Sequence, residues 1–313
     1  MTSVAQSAPR VSVLIATRNR AATLARTLRS LEAAREAGMA ECEILVVDNG
    51  STDTTPALLA RWAADGTGRQ HLCVPQPGKC RALNRALACA RAPLLAFTDD
   101  DVEVSPQWLT EIVAFFDMYP QYDAAMGRVR VPPAAERDST LQARLATYRV
   151  VPVFDRGDAV RDVSEMYGCN IAVRRQVFAR VGNFNERLGP PFNAGEDLEL
   201  ARRILRAGMR IGYMPRVLVY HDVDPARLTP EYLREFQVHL GRGLLEMEPE
   251  RYYWRSVPRL LEATCAVILW RLLRSPTRRM HAWGRMVRHA DILRHGWRRE
   301  RAPTKSPLGS GPI

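Results

Sequence analysis

Residues 11–31, VSVLIATRNRAATLARTLRSL, contain the pattern that decides the fold. Residues 11–17 form a short run of apolar and β-branched side chains, which is typical of a buried β-strand. After a polar turn, Leu24, Leu28 and Leu31 recur at the spacing of an amphipathic helix. The stretch therefore predicts a strand–turn–helix unit.

The same alternation continues along the next 65 or so residues, by the same periodicity argument. It predicts strands over 43–47, 71–74 and 94–97 and helices over 54–64 and 81–90. Near-continuous apolar strands that alternate with helices indicate a mostly parallel sheet that is buried on both faces. Ligands bind such α/β sheets at the carboxyl ends of the strands.

Beyond this point the pattern of the α/β region is less regular. It predicts strands over 124–131, 170–173, 210–213 and 217–220, and a helix over 194–207 that Gly208 ends. These elements complete the predicted sheet.

After about residue 225 the sequence is helical. Thr229 caps a helix that begins at Pro230, and further helices are predicted over 257–274 and 277–299. The predicted organisation is a flexible N-terminus over 1–9, an α/β domain over 10–225, a basic helical extension over 226–301 and a disordered tail over 302–313.

Composition excludes several classes of protein. Of the 313 residues 46% are hydrophobic and 25% are charged, which excludes a wholly disordered or collagen-like chain. Residues 251–301 hold 13 arginines and three acids, which is a local net charge of +10, so the rest of the chain is close to neutral. A strongly basic segment favours an anionic partner, which is either nucleic acid or an anionic membrane surface.

The six cysteines and the apolar segments bear on the compartment. The cysteines form no C-x-x-C pair and are too few for a disulfide scaffold, so we expect free thiols in a reducing cytoplasm. The first ten residues are polar, and the longest uncharged apolar stretch, 263–270, is far shorter than the roughly 20 residues of a spanning helix. We therefore expect a protein that is neither secreted nor membrane-spanning.

Three adjacent carboxylates, Asp99, Asp100 and Asp101, follow the strand over 94–97. Adjacent carboxylates repel one another, and a hard divalent cation such as Mg²⁺ or Mn²⁺ relieves that repulsion. The alternative is a solvated acidic loop. The strand before the run favours a metal site, with His221 at the end of another predicted strand as an added ligand.

Other polar clusters lie at predicted strand ends or helix starts. Asp48 and Asn49 offer acceptors and donors suited to a nucleobase and ribose, although a plain turn also favours these residue types. Residues 77–84 place Gly78 and Lys79 at a helix start, where a phosphate could bind. Residues 195–197, Gly-Glu-Asp, open a helix, where an acid is either a stabilising charge or a general base.

Taken together and in order, these motifs resemble the family-2 glycosyltransferases, which have the GT-A fold. The matching segments are VSVLIATRNR at 11–20, VVDNGSTD at 46–53, GKCRALN at 78–84, FTDDD at 97–101, GCN at 168–170 and GED at 195–197. The resemblance covers roughly residues 10–225. It implies an inverting transfer of a sugar from a nucleotide-sugar donor, dependent on Mg²⁺ or Mn²⁺, with a helical extension after the GT-A domain.

The resemblance also implies a role for each matching residue. The residues on the donor side would be Thr17, Asn19, Asp48, Asn49, Lys79, Asn84, Asp99 and Asp100. Asp101, together with Asp99, would bind the metal of the D-x-D motif, and Asp197 would be the catalytic base. Glu196 would shape the acceptor site, and Gly168, Cys169 and Asn170 would lie near the donor sugar and acceptor.

Two positions depart from the family pattern. Asn49 stands where many relatives carry a second Asp, and Cys169 stands where a small Ala is commoner. They leave the identity of donor and acceptor open. A metal-dependent nucleotidyltransferase is the alternative enzyme, although it has no evident use for Asp197, and a nucleic-acid-binding protein ranks below both.

The basic extension lies outside the matched segments. Its apolar residues between Leu260 and Leu273, flanked by Arg259 and Arg274, suit the interface of an anionic membrane. Packing on the catalytic domain or in a homo-oligomer is the open alternative. We expect a nucleotide-sugar donor, a saccharide or glycolipid acceptor, and a cytoplasmic protein that binds peripherally to the inner face of the membrane.

Overall fold

The computed structural model describes residues 8–38, 41–190 and 195–300, with side chains up to residue 296. The predicted disordered tail over 302–313 lies outside these residues, as does most of the predicted flexible N-terminus. Within them the chain divides into two compact units, with the boundary between Leu228 and Thr229.

The first unit contains an eight-stranded sheet with helices before and after most strands. The strands are β1 (Val11–Thr17), β2 (Cys42–Asp48), β3 (Arg69–Cys73), β4 (Leu94–Phe97), β5 (Val102–Val104), β6 (Ala124–Arg130), β7 (Ile171–Arg174) and β8 (Ile211–His221). The helices are α1 (Ala21–Glu36), α2 (Thr55–Ala64), α3 (Lys79–Cys89), α4 (Trp108–Met118), α5 (Pro133–Arg137), α6 (Ser139–Tyr148), α7 (Arg175–Val181) and α8 (Glu196–Arg206).

The strand order is β3-β2-β1-β4-β7-β6-β8-β5. Only β7 and β5 run against their neighbours, so the sheet is mostly parallel, as the apolar strand pattern predicts. All but one residue of β1 and every residue of β2 and β4 are buried, because helices cover the sheet.

One long strand replaces two predicted ones. The separate strands predicted over 210–213 and 217–220 are wrong, because β8 runs unbroken from Ile211 to His221. Its register against β6 shifts between Gly127 and Arg128. Pro215 lies in that irregularity, where its missing N–H interrupts no regular ladder.

Several elements differ from the sequence prediction in extent or were not predicted. The helix predicted from residue 257 begins at Pro249 and carries Pro258 in its interior. Neither β5 nor α4 is predicted from the sequence. The large apolar residues of α4 do recur at helical spacing and are buried on one face of the helix, so the sequence carries a signal for α4 that the prediction did not use: Trp108, Leu109, Ile112, Val113, Phe115 and Phe116.

The second unit is helical. It consists of α9 (Pro230–Met247), α10 (Pro249–Leu272) and α11 (Pro276–Glu300), with α11 packed against both of the others. A buried hydrogen bond of 3.0 Å joins Ser256 Oγ of α10 to His289 Nδ1 of α11. In the described part of the chain, no helix has both the length and the apolar character needed to cross a membrane.

Candidate active site

The parallel strands bring their carboxyl ends to one edge of the sheet. The register of β1 and β2 pairs Thr17 with Asp48, the last residue of each strand. The acidic run Asp99–Asp101 follows β4, the other neighbour of β1. Three separate sequence signals, Thr17, Asp48 and the acidic run, therefore belong to one site, because strand order places β1 between β2 and β4.

The three carboxylates of the acidic run have different partners. Lys79 Nζ lies 2.8 Å from Asp99 Oδ1, and Thr17 donates a hydrogen bond of 2.7 Å to Asp100 Oδ2. Asp101 is 8% exposed and faces two guanidinium groups, Arg20 at 2.9 Å and Arg227 at 3.2 Å. The run is therefore divided into three distinct electrostatic environments.

The environments of Asp99 and Asp100 move the pKa values of these two carboxyl groups in opposite directions. Burial is the largest single influence on Asp99 and would raise its pKa, but the charge and the hydrogen bond of Lys79, together with smaller effects from nearby groups such as Arg20, lower the pKa overall. Burial raises the pKa of Asp100 to about 6, against the hydrogen bond from Thr17 and with the added repulsion of Asp101. Asp99 is therefore ionised at neutral pH, while Asp100 is the weaker acid of the two.

Asp99, Asp101 and His221 form a group that could hold a divalent cation. Each offers one ligand atom, and these atoms all lie within 4.8 Å of one another. His221 Nδ1 lies 2.8 Å from the carbonyl oxygen of Asp222, which favours a proton on Nδ1 and a free lone pair on Nε2. Nε2 in turn lies 3.4 Å from Asp101 Oδ1. Two carboxylates and one imidazole fit Mn²⁺ or Mg²⁺.

The turn after β2 is fixed by its own side chains. Asp48 Oδ1 accepts a hydrogen bond of 3.0 Å from the backbone N–H of Ser51. Gly50 has φ +74°, and a Cβ there would lie 2.6 Å from the carbonyl oxygen of Pro75. Only glycine fits this close approach, which holds Asp48 at the strand end.

Asn49 is engaged with the loop before α3. Its amide group donates to the carbonyl oxygens of Val74 and Gln76 at 3.1 and 2.8 Å. Its Oδ1 accepts a hydrogen bond of 2.6 Å from the N–H of Gly78. The structure therefore gives Asn49 a part in positioning the loop that carries Lys79, which differs from the predicted direct contact with the nucleotide.

Asn19 and Asn84 also hold loops in place. Asn19 has φ +54° and accepts a hydrogen bond of 2.7 Å from the N–H of Thr52, which ties the loop after β1 to the loop after β2. Asn84 donates to the carbonyl oxygen of Phe184 at 3.0 Å and accepts from its N–H at 2.9 Å. The contacts of Asn84 thus join α3 to the segment that precedes α8.

Lys79 connects the acidic run to the start of α8. Its Nζ lies 2.8 Å from Asp99 and 3.0 Å from Glu196 Oε1. Burial alone would lower the pKa of Lys79, but these carboxylates hold it well above its usual value. The ammonium group is therefore a permanent positive charge between the two acidic clusters.

Asp197 is half-buried and is held by two backbone donors. The N–H of Gly168 donates to Oδ2 at 2.9 Å, and the N–H of Leu198 donates to Oδ1 at 2.7 Å. Burial and the neighbouring charge of Glu196 raise the pKa of Asp197 to about 7, although Lys79 and the two donors act against the rise. Such a carboxylate is poised to accept a proton near neutral pH.

One pocket is lined by residues from both acidic clusters, Asp99 of the acidic run and Glu196 with Asp197 at the start of α8. Its polar lining also includes Lys79 and Thr98. Its apolar lining includes Phe97 and Phe184, which contact each other edge to face. The pocket thus places the charged groups of Lys79 and Asp99 beside the carboxylate of Asp197.

The predicted trio Gly168, Cys169 and Asn170 separates in the structure. Gly168 lines the pocket, whereas Cys169 is 1% and Asn170 is 0% exposed. Asn170 accepts a hydrogen bond from Trp108 Nε1 and donates to the carbonyl oxygens of Arg128 and Val217, each at 2.9 Å. The side chain of Asn170 joins β6, β8 and α4, which differs from its predicted place near the donor sugar.

Cys169 is buried and does not line the pocket. This burial raises the pKa of the Cys169 thiol well above its usual value, so the group stays neutral. The main chain is engaged as well, because the carbonyl oxygen accepts a hydrogen bond of 2.9 Å from Thr98.

Sequence reasoning missed Arg20 and Arg227, which both face Asp101. Arg20 had a usable signal, because it lies in the same polar turn as Thr17 and Asn19. Arg227 lies in a short helical turn beyond β8, and no local pattern connects it with a carboxylate 126 positions earlier.

Comparison with known proteins identifies the family. The sequence model of glycosyl transferase family 2 matches residues 12–182, which is more than half of the chain. The chain belongs to this family. The match begins at β1 and ends just beyond α7, so it includes the acidic run and the GCN segment but stops before Asp197.

Curated relatives carry glycosyltransferase or polysaccharide names. The chain is 27% identical over 218 residues to the pre-mycofactocin glycosyltransferase of Mycobacterium tuberculosis, a match that covers 68% of this chain and 42% of the relative. The chain thus spans less than half the length of that relative. It is 28% identical over 287 residues to the succinoglycan biosynthesis protein ExoM of Rhizobium meliloti, covering 86% and 87% of the two chains.

A solved structure supports the fold. The mannosyltransferase PcManGT from Pyrobaculum calidifontis, in complex with GDP-Man and Mn²⁺, has a TM-score of 0.58 and 20% sequence identity. The match covers 95% of this chain and 77% of PcManGT. The family-2 chain therefore has the GT-A fold that the motifs predict, followed by a helical region.

Proposed function

We propose that this protein is an inverting, metal-dependent glycosyltransferase that moves a sugar from a nucleotide-sugar donor to a hydroxyl of a saccharide or lipid-linked acceptor. One observation carries the proposal. Lys79 lies 2.8 Å from Asp99 and 3.0 Å from Glu196, so it joins the cation-binding group to the helix start that holds Asp197.

Asp197 is the general base of the proposed reaction. Its carboxylate accepts the proton of the acceptor hydroxyl as that oxygen forms a bond to the anomeric carbon of the donor sugar. The bond from the anomeric carbon to the phosphate oxygen breaks, and the nucleoside diphosphate leaves with its electron pair. A single displacement of this kind inverts the anomeric carbon, and it needs one base opposite one leaving group. A pKa of about 7 supports Asp197 in this role.

The leaving diphosphate requires positive charge. Asp99, Asp101 and His221 would hold Mg²⁺ or Mn²⁺, and the bound cation would stabilise the negative charge on the leaving group. Lys79, Arg20 and Arg227 supply fixed positive charge around the same carboxylates, which supports a diphosphate site there. Asp48, at the end of β2, would contact the nucleoside, and Thr17 would keep Asp100 in place.

The comparisons support the substrate class. PcManGT was solved with GDP-Man and Mn²⁺, and ExoM takes part in succinoglycan biosynthesis, so a nucleoside diphosphate sugar and a saccharide acceptor are the substrates we propose. Family membership argues against the alternative of nucleotidyl transfer. All six cysteines are free in the structure, which supports a reducing cytoplasm as the compartment.

The test is a thermal-shift panel of UDP, GDP, dTDP and CMP, each with and without Mn²⁺. A ligand that binds only the folded protein raises its melting temperature. We expect a metal-dependent rise with one nucleoside diphosphate, and transfer from the corresponding nucleotide sugar. If no nucleotide produces a shift with Mn²⁺ present, the proposed donor site is wrong.

A further inference from the structure

Helix α10 exposes a continuous apolar stripe. Trp254, Leu261 and Leu272 are 67%, 66% and 75% exposed, which is unusual for large apolar side chains. The members of the stripe follow one another at intervals of three or four residues, so they lie on one side of the helix. They are Trp254, Val257, Leu261, Cys265, Ile268 and Leu272.

The other side of α10 faces the interior of the helical unit. Its buried residues are Tyr252, Ser256 and Ala263, and Ser256 is the residue that bonds His289 of α11. The helix therefore presents one packed face and one apolar face that is open. From Trp254 to Leu272 the open stripe is about 27 Å long at the rise of an α-helix.

Positive charge lies near both ends of this stripe. The arginines of α10 that are exposed include Arg255 on one side of the stripe and Arg271 on the other. Between residues 251 and 290, Glu262 is the only acidic residue. Beyond the helix, the guanidinium of Arg278 lies 4.6 Å from the ring of Trp270. The open face of α10 thus combines an apolar centre with a basic rim.

The apolar stripe and its basic rim together favour one class of binding partner over the others. A second copy of the chain would bring one basic rim close to another, and repulsion between the arginines would oppose the contact. Nucleic acid would neutralise the arginines but has little use for a stripe of leucine, isoleucine and tryptophan. An anionic bilayer interface takes up the apolar stripe and attracts the arginines at the same time.

We propose that the open face of α10 is a docking surface for anionic lipid bilayers, with the helix lying in the plane of the interface. Trp254 enters at the level of the headgroups, the depth at which tryptophan is enriched. The leucine and isoleucine side chains reach the boundary with the acyl chains, and Arg255 and Arg271 contact lipid phosphates. This docking does not depend on the proposed transferase activity.

The experiment is flotation of the full chain with vesicles of phosphatidylcholine alone and of phosphatidylcholine mixed with phosphatidylglycerol. We expect the protein to float with the mixed vesicles only, and high salt to weaken this binding. The double variant Leu261→Gln, Ile268→Gln should lose at least about tenfold in vesicle affinity, because the apolar contribution is reduced. The variant Arg255→Gln, Arg271→Gln should lose about fivefold per arginine on the mixed vesicles.

The matched control is Met118→Gln, which replaces a 68% exposed apolar residue of α4 and should float like the wild type. Circular dichroism of each variant checks that the helices are intact. The proposal is overturned if the wild type fails to float with the mixed vesicles, or if the Leu261→Gln, Ile268→Gln variant floats as well as the wild type. It is also overturned if the wild type sediments as a dimer that this variant dissociates while neither binds vesicles.

Discussion

The backbone N–H of Gly168 donates a hydrogen bond of 2.9 Å to Oδ2 of Asp197. The bond joins the segment before β7 to the first turn of α8, two parts of the chain 29 positions apart. It orients the carboxylate at the wall of the pocket that also contains Asp99 and Lys79. A carboxylate held in this way loses little conformational entropy when it accepts a proton, which supports the proposed role of Asp197 as the base.

Replacing Asp197 with asparagine tests the general base. We expect Asp197→Asn to reduce the transfer rate about 10²- to 10⁴-fold, because the amide cannot accept the proton of the acceptor hydroxyl. Donor binding should persist, since the carboxamide oxygen can still accept one of the two backbone hydrogen bonds that Asp197 receives from Gly168 and Leu198. The measurement pairs turnover with a thermal shift by the donor nucleotide. Asp158→Asn, a change at a carboxylate that is 95% exposed, is the control, and wild-type turnover by Asp197→Asn would refute the assignment.

The acid limb of the pH–rate profile should report the same carboxylate. Burial and the charge of Glu196 raise the pKa of Asp197 to about 7, so the group is increasingly protonated as the pH falls below that value. Only the ionised form accepts a proton, so the transfer rate should fall about tenfold for each pH unit below the pKa and level off above it. A profile that is flat between pH 5 and 8 would contradict this prediction.

Glu196→Gln should move that acid limb to lower pH. The change removes the negative charge that raises the pKa of Asp197, and it frees Lys79 from an ion pair of 3.0 Å, so both effects lower the pKa. The measured quantity is the midpoint of the limb, which is independent of any loss in maximal rate. A midpoint that stays in place or rises would show that Glu196 does not act on Asp197 in this way.

Asp101→Asn should abolish the Mn²⁺-dependent part of the thermal shift by a nucleoside diphosphate. Losing a residue that merely orients a metal ligand already costs about 10- to 100-fold in affinity, so losing a direct ligand should cost at least as much. Glu103→Gln is the control, because this side chain is 58% exposed and its ion pair is with Arg26 at 3.7 Å. An unchanged metal-dependent shift in Asp101→Asn would place the cation elsewhere.

The sequence was a good guide wherever one local pattern decides the outcome. The apolar runs of β1, β2 and β4 predict the parallel core because each strand is buried along nearly its whole length. The acidic run after β4 follows from the same reasoning, since the end of a buried strand is where charge can reach a ligand.

The sequence was a poor guide where residues far apart in the chain decide the role of a side chain. Asn49 and Asn84 are polar residues beside motifs, and nothing local shows that their amide groups bond Gly78 and Phe184. Arg227 meets Asp101 only because β8 ends beside the acidic run. Such roles depend on strand order, which periodicity does not reveal.

Asn170 is predicted to lie near the donor sugar, but in the structure it has the contacts of a buried structural residue. Its amide group satisfies Trp108 Nε1 and the carbonyl oxygens of Arg128 and Val217 with no exposure to solvent. Asn170→Ala leaves these buried groups without partners, so we expect the free energy of unfolding to fall by at least about 1–3 kcal/mol. Urea denaturation measures the loss, and a double-mutant cycle with Trp108→Phe should show a coupling of about 0.5–3 kcal/mol. An unchanged free energy of unfolding, together with a raised KM for the donor, would contradict this structural role and support the predicted place of Asn170 near the donor sugar.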